Sequence, residues 1–161
     1  MLDTIDTIAW AAYPQPEWNQ TDAIPCAIRA LVNPPDEIAA RKAYHAFLFA
    51  VGNNHAGTYF PVVLTTLPFL ADILDHGSSL ARLRTLDIFI DLLAAFEPEI
   101  GYENIPDLQG TIQPLAAMLF NSVFQIWNSR RHSFLVAHDA EAKKLAHELE
   151  ETMTALQSES Q

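Results

Sequence analysis

Cysteine is almost missing from this chain: Cys26 is the single one in 161 residues. Alone it cannot close an internal disulfide, and a reducing cytoplasm is the compartment expected. Basic residues are scarce too. Nine Lys and Arg stand against twenty Asp and Glu, giving a net charge of −11 and a pI near 4.7. Phosphate and anionic-lipid surfaces are recognised through clustered Lys and Arg, so this balance argues against nucleic acid and membrane as partners and favours a basic protein. No stretch reaches the roughly 18 uninterrupted apolar residues of a membrane span. The nearest approach, Tyr59 to Leu74, is interrupted by Thr65, Thr66, Pro68 and Asp72. The opening residues Met1-Leu2-Asp3-Thr4-Ile5-Asp6 are acidic and lack the basic n-region of a secretory signal.

Chemistry-bearing motifs are equally thin. His45, His55 and His76 are widely spaced, and no H-x-x-x-H, E-x-x-H or C-x-x-C pair occurs, so no metal is expected. His138 and His147 are read as solvated residues of a charged last helix, and His55 as a corner residue whose ring bonds a backbone carbonyl. The G-x-x-x-x-G window from Gly52 to Gly57 is followed by Thr58 instead of Lys, which excludes a phosphate loop. No serine sits in G-x-S-x-G. Cys26, after Pro25, reads as a small hydrophobe facing the core or the next helix. Asp87 and Asp91 share a helical face at i, i+4, but would serve as acid and base only if buried and shifted. No catalytic residue, cofactor or metal is assigned.

What the chain has is apolar periodicity. Half its residues are hydrophobic and 18% are charged, enough for one domain with its own core. Seven helices and no strand are expected, an all-α chain. The first runs from Asp3 to about Ala12, ended by Pro14 and Pro16, with an extended link through Trp18. A second, capped by Thr21 or Asp22, carries Ile24, Ala27, Ile28 and Leu31. The third, about Pro35 to Val51, buries Ile38, Ala39, Ala43, Ala46, Phe47 and Ala50. The fourth reaches the stop at His76-Gly77, with Pro61 in its first turn and Pro68 kinking it. The fifth, about Leu80 to Phe96 behind a Ser78 or Ser79 cap, is apolar nearly all round, and so should lie between neighbours. After a loop from Glu97 to Asp107 come a sixth helix, roughly Leu108 to Ser129, and a seventh, about Phe134 to Gln157. The seventh presents Leu145, Leu149, Met153 and Leu156 on one side. Residues 1–20 thus form an N-terminal helix and link, 21–129 the core helices, and 134–158 a C-terminal cap.

The stretch Asn53 to Leu74 joins two of these helices. Asn53, Asn54, His55, Gly57 and Thr58 make a polar corner in which Gly eases the turn and Thr58 could cap the next helix. Its H-x-G-T-x-[YF] corner and P-F-L-x-x-[IL]-L run, carried by His55, Gly57, Thr58, Pro68, Phe69, Leu70, Ile73 and Leu74, resemble bacterial HEAT-repeat-like proteins. Those typically read H-Q-G-T-x-Y-x-A-T-x-x-A-V-P-F-L-x-x-L-L. The resemblance extends to Ala9-Trp10, Ile24-Pro25 and Ala43 upstream and to about Glu97 downstream. The chain departs at Ala56, where the family usually has Gln, and in the family's Ala-Thr pair, which here is Val62-Val63 or is displaced to Thr65-Thr66. The resemblance implies a short α-α superhelix, in which helix pairs recur every 40 to 50 residues or so and present a long face for binding.

Between Thr85 and Ser129 stand six acids, Asp87, Asp91, Glu97, Glu99, Glu103 and Asp107, and no Lys or Arg. With Phe96 and Tyr102 as aromatic anchors, these residues are the expected partner-binding surface, its field suited to a basic protein. Bacterial chains of this build that resemble HEAT-repeat proteins often look like immunity proteins, which neutralise a cognate and often basic toxin. The expected function is such occlusion. The alternatives are an adapter within another assembly and a HEAT-like DNA-repair enzyme, whose basic face the charge sign opposes.

Overall fold

The computed structural model describes residues 2–135 and 139–159. Two short 3-10 segments, Leu2–Thr7 and Trp10–Ala12, precede α1 (Ala23–Val32) and α2 (Glu37–Val51). A tight corner of β1 (Gly52–Asn53) and β2 (Thr58–Tyr59) leads to α3 (Val62–His76) and α4 (Ser79–Ala94). Then come β3 (Glu97–Pro98), β4 (Asn104–Pro106), β5 (Ile112–Pro114), α5 (Leu115–Asn128), α6 (Arg131–Leu135) and α7 (Ala140–Glu159). The fold is mostly helical, with a few short strands where the sequence suggested none.

The helices pack in consecutive pairs and in two layers. α1 lies on α2 and α3 on α4, while α1, α3 and α5 touch in turn, as do α2, α4 and α7. α4 is the hub, meeting α1, α2, α3, α5 and α7. Its sequence explains why: Leu83, Leu86, Ile88, Phe89, Ile90 and Leu92 are all buried, so apolar side chains leave it in every direction. Two threonines go into the core without an unmet hydroxyl. Thr66 donates to the Val63 carbonyl (2.6 Å) and Thr85 to that of Ala81 (2.9 Å).

Several boundaries move. The first expected helix is two 3-10 pieces, held because the Trp10 indole donates to the Ile5 carbonyl. In α2 the buried face is Ala40, Ala43, Phe47, Leu48, Ala50 and Val51, whereas Ile38 is 69% exposed and Ala46 is exposed. Thr58 does not cap α3; it lies in β2, and Pro61 takes the N-cap position. α3 stays helical through the exposed Pro68, whose missing N–H deprives the Leu64 carbonyl of its usual donor. Residues 108–114 belong to a β4–β5 hairpin, so α5 begins only after Pro114. The last helix is two, with α7 started by Asp139, whose carboxylate accepts from the Glu141 and Ala142 amides.

One strand contact ties distant parts together. β2 pairs antiparallel with β1 and parallel with β3, so the corner between α2 and α3 is fastened to the chain leaving α4. The Glu97 amide donates to the Gly57 carbonyl (2.9 Å) and the Glu99 amide to that of Tyr59 (2.8 Å). At other turns Ser78 caps α4, and Arg130 holds Asp75 through two bonds of 2.8 and 2.7 Å.

Candidate functional site

The eight expected partner-binding residues fall in two places. Asp87 and Asp91 project from α4 toward α2. Asp87 pairs with Arg84, whose guanidinium also reaches Glu37, and Asp91 accepts from the Tyr44 hydroxyl. Glu37, Arg41, Tyr44, His45, Arg84 and Asp87 line a cleft of about 390 Å³ here. Burial raises the Asp87 pKa above the ordinary carboxylate range, against the pull of Arg84 and with help from Asp91 and Glu141. Burial and the bond to Asp91 likewise push the Tyr44 phenol up. This is a mixed-sign, internally paired patch, in which Asp87 is matched by an arginine.

Phe96, Glu97, Glu99, Tyr102, Glu103 and Asp107 follow α4. Most of their carboxylates already serve the local fold. Glu99 accepts from the Thr58 hydroxyl at 2.6 Å. Glu103 accepts from the Gly101 amide; its own backbone N–H first, and that of Gly101 second, hold its carboxylate below the usual range. Asp107 accepts from the Gln109 and Thr111 amides and so shapes the β4–β5 turn. Tyr102 packs on Phe60, ring centroids 5.3 Å apart. Glu97 is exposed and, among the described residues, is the acid of this group whose carboxylate makes no hydrogen bond. Accepting one or two N–H or O–H donors leaves a carboxylate charged, so the segment keeps its negative sign. Ile100, 86% exposed, stands among these acids.

Phe96 opens onto something the sequence did not suggest. Between the end of α4, the start of α5 and the end of α7 lies an open groove of about 940 Å³. Leu92, Leu93, Phe96, Ala117, Phe120 and Leu156 give it apolar walls, and Asn121, Gln157 and Tyr59 are its polar members. Tyr59 is 1% exposed. Its phenol is pushed up by burial first and by the nearby Glu97 charge second, so it stays protonated at neutral pH. The available signal was Tyr59 inside the quoted motif, together with small Ala116-Ala117 one turn before Phe120; neither announces a groove until the ends of α4, α5 and α7 are brought together.

The remaining candidates resolve simply. His55 is exposed; Asn53, not the histidine ring, organises the corner, its side chain accepting from the His55 and Ala56 amides. His45 meets the Asn54 amide at 3.2 Å, His76 meets Asp72, His147 meets the Lys143 carbonyl, and His138 lies outside the described residues. Cys26 is exposed instead of core-facing, and burial and Asp22 hold its thiol above its ordinary pKa. That disfavours the reactive thiolate. Among the described residues no three His, Cys, Asp or Glu gather where one cation could reach them. No described helix is long and apolar enough to cross a membrane. No family model, curated protein or solved structure matches the chain.

Proposed function

We propose that this chain is a protein-binding module, a short stack of three helix pairs that occludes a basic partner through the acidic surface after α4. The pairing order supports the stacked reading. α1/α2 and α3/α4 form successive pairs, α5 continues the layer of α1 and α3, and α7 continues that of α2 and α4, as in a short α-α superhelix. One observation carries the binding reading: exposed Ile100 and half-buried Phe96 sit among acids with no Lys or Arg from 85 to 129, beside an open apolar groove. Apolar anchors ringed by charge of one sign are the anatomy of an interface, in which the charges steer and the anchors hold.

The most specific form of the proposal is a cytoplasmic immunity protein that masks a basic toxin. It draws on the resemblance to HEAT-repeat-like proteins at His55, Gly57, Thr58 and Pro68 to Leu74, and on the net charge. The test is co-expression with the product of each neighbouring reading frame. Restored growth and co-elution of the two chains in fixed ratio are expected with one of them; no toxic neighbour, or toxicity that this chain leaves unrelieved, would refute the immunity form.

A further inference from the structure

Seven large hydrophobic side chains are exposed among the described residues, and they stand in two separate stretches of the chain. Ile100, Leu108 and Ile112 lie in the acidic segment after α4, whereas Tyr13, Trp18, Ile38 and Phe49 lie on α2 and on the link before α1. At 3.6 residues per turn, Ile38, Arg41, Lys42, His45 and Phe49 share an arc of about 100° on α2, and all five are exposed. This face runs roughly 16 Å along the helix. It continues onto Trp18, which stacks on Phe49 with ring centroids 5.2 Å apart.

The charges on this face are positive and uncommitted. Of the six arginines, Arg29, Arg84, Arg130 and Arg131 pair with carboxylates, and Arg82 lies over the Phe134 ring. Arg41 and Lys42 make no hydrogen bond or ion pair with any described residue, in a chain with twenty acids to nine bases. Arg41 also edges the cleft toward α4, but the acids there, Glu37 and Asp87, are held by Arg84. A face with apolar ends and free cations between them is complemented by apolar residues set among carboxylates. The segment after α4 has that composition. Ile100 is 86% exposed, Leu108 101% and Ile112 64%, with Glu97 and Glu103 exposed near them and no Lys or Arg from 85 to 129.

We propose that the chain forms a two-fold dimer in which the acidic segment of each copy, Glu97 to Ile112, docks on the α2 face of the other. Two-fold symmetry makes the same contact twice. Both surfaces reach the same end of the molecule: α2 runs into β1, and β1, β2 and β3 form one sheet whose last strand opens the acidic segment. The net charge of −11 opposes association, but charges more than about 8 Å apart are largely screened at physiological ionic strength, so the groups at the contact decide. The dimer goes beyond the protein-binding reading and adds a control to it. A second copy covers the acids that a basic partner needs, so dimer and complex exclude one another.

Sedimentation equilibrium of the full chain from about 5 to about 500 µM should show the mass rising from 17.9 kDa toward twice that value. Two double variants each break one surface at exposed positions: Arg41→Glu with Lys42→Glu, and Glu97→Lys with Ile100→Ser. Each alone should dimerise about tenfold or more weakly than the wild type. Their equimolar mixture should dimerise again, because each keeps the surface that the other lacks. Lys144→Glu and Glu151→Lys, exposed on α7, should dimerise as the wild type does.

A wild-type chain that stays monomeric throughout would overturn the proposal. So would wild-type dimerisation in either double variant, equal losses in the α7 controls, or a mixture that stays monomeric while both variants keep the wild-type circular dichroism. These measurements need only the chain itself, so they fail separately from the co-expression assay. A monomeric chain that still rescues growth would refute the dimer alone, and a dimeric chain that rescues none would refute the immunity form alone.

Discussion

Gly52→Ala should be among the most damaging single-methyl additions in this protein, although the backbone there is ordinary extended chain (φ −170°). A Cβ at residue 52 would sit 1.9 Å from the Thr58 carbonyl oxygen and 2.8 Å from the Tyr59 Cα. Both neighbours are backbone, so no rotamer change relieves the contact. Ordinary van der Waals contact begins near 3.4 Å, and β1 must therefore part from β2. The register Gly52↔Tyr59 and Asn53↔Thr58 would be lost, along with the Phe60 amide bond to the Val51 carbonyl. Two or three hydrogen bonds at about 1 kcal/mol each, with overpacking strain of about 1 kcal/mol or more, give a cost of about 3–4 kcal/mol. For a chain of this size that is a fall in Tm of about 10 °C. Urea and thermal unfolding followed by circular dichroism would measure it. Gly110→Ala is the comparison, because Gly110 has φ +80° but open space around its Cβ position; only backbone strain of about 1 kcal/mol is expected. If Gly52→Ala proves milder than Gly110→Ala, the steric reasoning is wrong.

The face of α2 can be tested by Ile38→Ala, which should change stability by less than about 0.5 kcal/mol, against Leu86→Ala in the fully buried heart of α4, which should cost about 2–5 kcal/mol by chemical denaturation. Asp36 accepts from the Ala39 amide at 2.8 Å as the cap of α2; Asp36→Ala should cost about 1 kcal/mol in the same assay. Burial raises the folded pKa of Asp87. Between its ordinary value of 3.8 and the raised folded one, the native chain therefore binds the proton more strongly than the unfolded chain does. Its contribution is fully present below the unfolded pKa and is lost as pH rises through the folded pKa. Unfolding of the wild type and Asp87→Asn at about pH 3 and about pH 7 should show the variant gaining on the wild type at the higher pH; the opposite trend would contradict the burial argument.

The run of helices was legible because large residues carried the period. Leu83, Leu86 and Ile90 of α4, and Leu145, Leu149 and Met153 of α7, are buried as the spacing implied. The α2 face was not, because alanine says little about which side is inside; Ile38, the one large residue near the start, pointed outward and misled. The β4–β5 hairpin was hidden by Leu108 and Ile112, which resemble the first turn of a helix but are 101% and 64% exposed. Asp107 and Gly110, which close the turn by an Asp carboxylate and a positive φ, were the better signal. The site was half legible. The acids were visible as charges, but the bonds of Glu99 to Thr58 and of Asp91 to Tyr44 join residues more than 40 apart in the chain, and the groove exists only once the ends of α4, α5 and α7 are brought together.

The parallel contact between β2 and β3 makes residues 58–98 a noncovalent ring, with α3 and α4 as its circumference. A ring cannot be unzipped from one end. The amides of Glu97 and Glu99, which hold its clasp, should exchange with solvent as slowly as those in the helices it encloses, although they lie in a surface connection. A partner gripping Phe96 and Glu97 would be pulling on that clasp, so its hold would pass directly to the middle helix pair and tighten the whole circuit against opening.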